Sequence, residues 1–524
     1  MLVKIYRKFN ALSFEGKVFT AIIALGLIAR LFALIVMPDP MLNDSLYHLG
    51  ITKYAIENRA LPLGQGGISA LEVPLYYFVT ALPFIFLPIP FTLATARVFP
   101  FLFSALQLFL AFILLKRIFP RNWLPGFAFV AMQPLLIVFG SLNYVETFAS
   151  CFVLLCFYIY WRFAETGKTI YLVSMPFAIA AAALSKLSAT VLVPAFFLAF
   201  LFELVKGKQK QAGQRTVAKG EQKLARQKII ATALLFSIAA ILLSSAWFIA
   251  MFFRGNFSVS QYDANTLLSG HVITYASLNS VITLPAKFNE ALWFFLTEAL
   301  DSHSFVVPAN IAFLLFSIAT GPVLIFLFYG LVQGLLRKEK QSILLLLCFA
   351  LMCVLLAARG TKFIQSRFMV PMLPLFGIAA ASAFMHLKNA NWRKAIIFFF
   401  CLTAIYSIAF SALYAMYFRQ QFDQVSPALE FARQLPSGSV IAVHPNQTRQ
   451  VEFISEKKAF GYQTSFDLMD AAQLHTELKS HGITHIAPTC YKNPWNMQAI
   501  EEMAASGKLQ QIYGDECSKL FEVR

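Results

Sequence analysis

Apolar residues run through this chain in long blocks separated by short polar links, and each block has about the 20 residues that a helix needs to cross a bilayer. The blocks fall near 18–36, 96–117, 123–140, 143–163, 170–186, 188–205, 229–253, 307–335, 342–358, 368–386 and 395–418. The pattern predicts a polytopic α-helical membrane protein with about 11 transmembrane helices. One more apolar run, Pro74 to Pro90, is short and carries Pro74, Pro83, Pro88 and Pro90. Each proline removes a backbone donor where no water can replace it, so this run reads as interfacial rather than spanning.

Beyond the last block the period changes. SVIAV, THIAP and KLFEV read as short strands, whereas SPALEFARQL, FDLMDAAQLHTELKSHG and PWNMQAIEEMAASGK carry apolar residues at helical spacing. The chain therefore divides into a transmembrane domain, 1–418, with external loops 37–95 and 254–306, and a small soluble α/β domain, 419–524. Asp467 is a candidate N-cap and Gly482 a candidate stop for the middle helix of that domain.

Composition agrees with the class: 58% of the 524 residues are hydrophobic, 13% are charged, and 55 are phenylalanine, a profile foreign to soluble domains. A net charge of +17 would point to nucleic acid in a soluble protein, but here its position matters more than its size. If Pro74 to Pro90 does not span, the N-terminal tail and the linkers 116–122, 164–169, 203–228, 337–341 and 386–394 share one side and carry the whole net charge. Basic links mark the cytoplasmic side. The N-terminus is then cytoplasmic, the α/β domain extracytoplasmic, and the linker 203–228 needs no nucleic-acid partner. No small-residue cleavage site follows Val18 to Val36, which reads as a retained first span. Cys151, Cys156, Cys348, Cys353 and Cys401 lie in apolar segments, which leaves Cys490 and Cys517 as the one candidate pair.

Ionisable residues beside membrane segments are costly unless they sit in water or act. The stretch NDSLYHLG after the first span places Asp44 and His48 one helical turn apart. Two readings stay open for Asp44, an N-cap or a functional acid. Two are open as well in SLNYVET, where Asn143 and Glu146 have the form of a capping box and also set a second acid on the same outer side as Asp44. Lys186, and Arg359, Lys362 and Arg367 in RGTKFIQSR, put cations on that outer side. They read either as snorkelling side chains or as a clamp for a phosphate group. Arg30, inside the first span, is expected to pair internally or to line the cavity. No spacing matches a metal motif, so no metal and no cofactor is expected.

The order of an apolar span, then NDSLYHLGITKYAIENRALP, VPLYYFVTALPFIF and TARVFPFLFSALQLFLAFILLKRIF, resembles the C-type glycosyltransferase (GT-C) fold. The pattern is nearest to the protein O-mannosyltransferases and the bacterial aminoarabinose transferases of lipid A. The first external loop of that superfamily often carries Asp-Glu; here Asp44 matches, and Ser45 stands where the second acid often does. The resemblance spans residues 15 to 420 and assigns Glu146 the place of the second-loop acid. It likewise gives Lys186 the place of the lysine after the fifth span, and Arg367 in SRFMVPMLP that of an arginine in a related run.

That resemblance implies transfer of a sugar from a polyprenyl-phosphate donor, with inversion, to an acceptor hydroxyl at the outer face of the plasma (inner) membrane. The acceptor is a glycolipid, a polysaccharide or a protein, and membrane lipid surrounds the site. Asp44 would be the general base, with Glu146 beside it in an open role. Lys186 and Arg367, with Lys362, would hold the donor phosphate. Tyr47, His48, Asn143 and His303 are candidate substrate contacts, His303 and Asp301 from the loop 254–306, which reads either as a lid or as an interfacial helix. Two other classes compete. A transporter or lipid flippase also carries charged groups facing a membrane cavity, and a non-catalytic scaffold would leave Asp44 and Arg367 freely replaceable.

Overall fold

The computed structural model describes residues 13–37, 43–61, 74–199, 238–239, 241–243, 309–358, 370–443, 448–461, 469–488, 496–515 and 518–524. The loop 254–306 with Asp301 and His303, the link with Arg359, Lys362 and Arg367, and Asp467, Cys490 and Cys517 lie outside the described residues. So does most of the expected span 229–253.

The first half of the bundle comprises α1 (Phe14–Val36), α2 (Asn43–Asn58), α3 (Leu75–Phe86), α4 (Leu93–Ala96), α5 (Val98–Ile118), α6 (Trp123–Met132), α7 (Pro134–Phe139), α8 (Val145–Thr166) and α9 (Thr169–Ala183). The second half comprises α10 (Ala309–Leu336), α11 (Lys340–Ala358), α12 (Phe376–His386) and α13 (Ala390–Phe431). Among the described residues, Phe14–Val36, Leu93–Ile118 and Val145–Thr166 are long and apolar enough to cross a membrane. The chain is an integral membrane protein.

Its core is continuous through α5, α6, α8, α9 and α10 to α12, with Phe127, Val153, Ile179, Leu327, Met352 and Ile378 among its buried members. Lipid gives helices no hydrophobic reason to associate, so close backbone approach and polar contacts hold them together. At the α6–α12 crossing Gly126 and Gly377 face each other, and a Cβ on Gly377 would stand 2.8 Å from the Gly126 carbonyl oxygen. At the α10–α12 crossing a Cβ on Gly330 would run into the Ala379 carbonyl. Gly330→Ala is therefore expected to push α10 and α12 apart at a cost of about 1–3 kcal/mol, read as a lower melting temperature of the detergent-solubilised protein. An unchanged melting curve would mean that the crossing relaxes freely.

Two polar networks bind the bundle. Arg30 on α1 is fully buried and pairs internally: Nε donates to Ser104 Oγ (2.7 Å), Nη1 to the carbonyls of Gly26 (3.0 Å) and Ala131 (2.7 Å), and Nη2 to that of Val130 (3.4 Å). Glu339, in the link between α10 and α11, gathers His386 Nε2 (2.6 Å), Ser382 Oγ (3.0 Å) and Gln341 Nε2 (3.1 Å). One acid in a basic link thereby ties α12 to the start of α11.

Proline acts where the sequence places it. The block 123–140 is split into α6 and α7 at Gln133–Pro134, where the Gln133 side-chain oxygen accepts from Leu136 N–H at 2.9 Å and replaces a partner that the break removes. The run Pro74 to Pro90 holds α3, whose 12 residues reach about 18 Å at 1.5 Å per residue, short of the roughly 30 Å hydrocarbon core. Interfacial placement fits that length.

Beyond the bundle stand β1 (Val440–Val443), α14 (Thr448–Ser455), β2 (Lys458–Gly461), α15 (Ala471–Ser480), β3 (His485–Ile486), α16 (Met497–Ala505), β4 (Leu509–Gly514) and β5 (Lys519–Val523). They form one five-stranded sheet in the order β2-β1-β3-β5-β4. β1 pairs in parallel with β2 and β3, and β5 is antiparallel to β3 and β4. Alternation along the strands sends Ile441, Val443 and Leu520 to one face, against Val451 and Ile454 of α14. Ala442, Ile486 and Phe521 go to the other, against Leu474 and Leu478 of α15 and Ile500 and Met503 of α16. Helices thus cover both faces, as a sheet with a parallel core requires.

Several sequence expectations need correction here. SPALEFARQL does not begin a separate helix; α13 runs unbroken for 42 residues from the last apolar block through Pro427 to Phe431. The N-cap of α15 is Asp470, which accepts from Ala472 and Gln473 N–H and forms a capping box with Gln473, where Asp467 had been expected. Gly482 does stop that helix, with φ at 65°. Strands β2 and β4 have no counterpart in the expected set.

Candidate functional site

The loop after α1 folds into α2, and Asp44 occupies its first turn, where the helix dipole favours a carboxylate. His48 lies one turn further along. α2 runs beside α3 in a register set by hydroxyls: His48 Nδ1 is 2.7 Å from Tyr77 Oη, and one turn on, Thr52 Oγ1 is 3.3 Å from Thr80 Oγ1. Ile51 and Ala55 of α2 pack on Tyr76, Tyr77 and Ala81 of α3. On another side Leu46 and Leu49 bury against Ala96. On a third, α14 of the α/β domain packs against α2. The helix bearing Asp44 and His48 is thus held from three directions.

α8 supplies the second acid. Its N-cap residue is Tyr144, whose side chain makes no cap hydrogen bond. Asn143 is buried in the turn before α8, and Glu146 points into the interior with 1% exposure. Arg97 braces this turn, donating through Nη2 to the carbonyls of Ser141 (3.4 Å) and Ala33 (3.5 Å). Thr147 Oγ1 ties the first turn of α8 to the Phe139 carbonyl at 2.9 Å.

Glu146 Oε1 accepts from Lys186 Nζ in a short ion pair. Lys186 lies just past α9 in extended conformation, with its N–H on the Ala182 carbonyl (2.9 Å) and its own carbonyl accepting from Ala189 N–H (2.9 Å). The same stretch fastens α3, since Leu75 N–H donates to the Leu184 carbonyl at 3.0 Å. Tyr144, two residues before Glu146, meets the His48 ring edge-on at 5.8 Å. α2, α3, the start of α8 and the Leu184–Lys186 stretch therefore contact one another in a closed circuit.

That circuit brings Tyr47, His48, Asn143, Glu146 and Lys186 into one neighbourhood, with Asp44 one turn before His48. Tyr47 is half-buried with its ring 5.8 Å from that of His48. The circuit offers a carboxylate, an imidazole and an ammonium, which suit proton transfer and the binding of an anion. Lys362, Arg367 and His303 belong to the segments outside the described residues.

Sequence reasoning passed over Tyr76, Tyr77 and Tyr144, which with Tyr47 surround His48 at ring separations of 5.7 to 6.3 Å. A signal was present. Tyrosines in a proline-bounded apolar segment and beside Asn143 carry hydroxyls that need polar partners when buried.

No family model matches the chain, and no curated protein does. Solved structures do. ArnT from Cupriavidus metallidurans in the apo state is 12% identical and superposes with a TM-score of 0.55, covering 96% of this chain and 97% of that one. The same protein bound to undecaprenyl phosphate gives 11%, 0.56, 96% and 97%. The archaeal oligosaccharyltransferase AglB from Archaeoglobus fulgidus, in complex with an inhibitory peptide and a dolichol-phosphate, gives 13% and 0.51, with 91% of this chain and 70% of that one covered. At such identities the likeness is one of fold. The chain has the GT-C fold.

Proposed function

We propose that this protein transfers a sugar from a polyprenyl-phosphate donor to an acceptor hydroxyl, with inversion, at the extracytoplasmic face of the plasma (inner) membrane. The observation that carries the reading is the edge-on contact of His48 on α2 with Tyr144, two residues before Glu146 and its partner Lys186: the helix of Asp44 and a phosphate-compatible cation share one neighbourhood. The complexes of fold neighbours with undecaprenyl phosphate and dolichol-phosphate support a lipid-linked donor.

Asp44 takes the proton of the acceptor hydroxyl as its oxygen attacks the anomeric carbon. The new carbon–oxygen bond forms on the face opposite the breaking one, and the polyprenyl phosphate leaves with the bonding pair. Charge develops on that phosphate, and Lys186, with Arg367 and Lys362 from the link before α12, neutralises it. An ammonium has three donors, so Lys186 can keep Glu146 as partner while reaching a phosphate oxygen. Glu146 holds the lysine in place. The transmembrane domain 1–418 carries the chemistry, and the domain 419–524 stands outside. A cytoplasmic N-terminus follows from the basic links.

The test is a panel of radiolabelled polyprenyl-phosphate sugars given to the purified protein in vesicles with glycolipid, polysaccharide and peptide acceptors. Consumption of one donor with label appearing in one acceptor is expected. Passage of a lipid-linked sugar between leaflets without transfer would favour a flippase and overturn the reading.

A further inference from the structure

We infer that the groove between the end of α2 and α3 holds an anionic phospholipid of the surrounding bilayer, with an acyl chain against its apolar wall and the headgroup phosphate on Arg59. The groove has a volume of about 330 Å³ and is walled by Ala55 of α2 and by Phe78, Ala81, Leu82 and Ile85 of α3. Along α3 one apolar stripe, Phe78, Leu82 and Phe86, stays 45%, 46% and 76% exposed, while Tyr76, Tyr77, Thr80 and Phe84 turn inward. A helix too short to cross the hydrocarbon core offers such a stripe to lipid tails. A water in the groove would need several polar partners, and the side chains of the wall supply none beyond Arg59. Hydrocarbon is the better filling.

Arg59 is the one charged residue that lines the groove. It directly follows the last residue of α2 with φ at 51°, in the left-handed region that a glycine adopts without strain and an arginine does not. Its side chain is exposed and has no acidic partner among the described residues, since Glu57, two residues before it, is engaged by Lys53 at 3.9 Å. The end of α2 therefore sets one uncompensated positive charge beside an apolar groove. A phosphate joined to an acyl chain has the complementary pattern, and a guanidinium gives its oxygens paired donors. Asp44 lies in the first turn of α2, roughly 20 Å away at 1.5 Å per residue. The groove is thus apart from the neighbourhood of His48 and Lys186, and the inference does not rest on sugar transfer.

The test uses the full chain in phosphatidylcholine vesicles that carry a trace of photoreactive phosphatidylglycerol or of photoreactive phosphatidylcholine, with the label on the α2 and α3 peptides counted by mass spectrometry. Phosphatidylglycerol is expected to label them about fivefold more, the scale of one arginine near a membrane surface. Arg59→Gly should bring that ratio close to one with a melting temperature near wild type, because glycine suits the backbone there, and Arg59→Lys should keep most of the preference. Leu82→Trp, which fills the groove, should lower the label from both lipids. Equal labelling of the wild type overturns the inference, and so does a preference that survives Arg59→Gly, which would leave Arg59 a cation at a helix end. Displacement of the label by undecaprenyl phosphate but not by unlabelled phosphatidylglycerol would make the groove a site for a polyprenyl carrier and overturn it as well. Should Arg59→Gly not fold, Arg59→Gln takes its place, with the same outcomes deciding.

Discussion

Lys186→Met is expected to destabilise the protein by about 3–5 kcal/mol, the range for removing one partner of a buried pair, because Glu146 is then left as a carboxylate at 1% exposure with its Oε1 contact gone. Adding Glu146→Gln should recover part of the melting temperature, since the carboxylate that lost its ammonium partner goes with it. Sugar transfer should not recover, because neither methionine nor glutamine supplies a cation to the leaving phosphate. The double variant therefore separates holding the fold from doing the chemistry. Recovery of both together would reduce the pair to a structural contact.

The second large effect is expected at Asp44. As the general base, it should lose about 10²–10⁴ of its transfer rate on conversion to asparagine. The stability cost is expected to stay near or below about 1 kcal/mol, the scale of the helix-dipole interaction that a first-turn carboxylate gives up on becoming asparagine. Turnover of the labelled donor and a melting curve on the same preparation check both halves. Wild-type turnover in Asp44→Asn would remove the base and leave Asp44 a helix-start residue.

Much of the architecture was legible before any coordinates. The apolar blocks around Val18–Val36, 96–117 and 143–163 correspond to Phe14–Val36, Leu93–Ile118 and Val145–Thr166, because a membrane helix satisfies its own backbone and needs only length and apolarity. The strands of SVIAV, THIAP and KLFEV were equally local. What failed was also local but weakly encoded. KAFG and LQQIYG are too short or too polar to show a strand period, and they become β2 and β4 only by pairing with β1 and β5. The partner of Glu146 stands 40 residues away in the chain, out of reach of any local spacing.

By itself, then, the sequence determined that the chain is a membrane protein, where many of its described helices lie, that the proline-rich run is short for a span, and which polar residues are worth asking about. Those conclusions rest on hydrophobic length, period and the missing donor of proline, which act within one segment. Only the tertiary structure decided that Lys186 meets Glu146, that Tyr77 meets His48, that Arg30 spends its guanidinium on carbonyls of its own and a neighbouring helix, and that α14 leans on the helix of Asp44. A polar side chain takes whichever partner the packing of distant helices brings within about 3 Å, and no window of sequence records that choice.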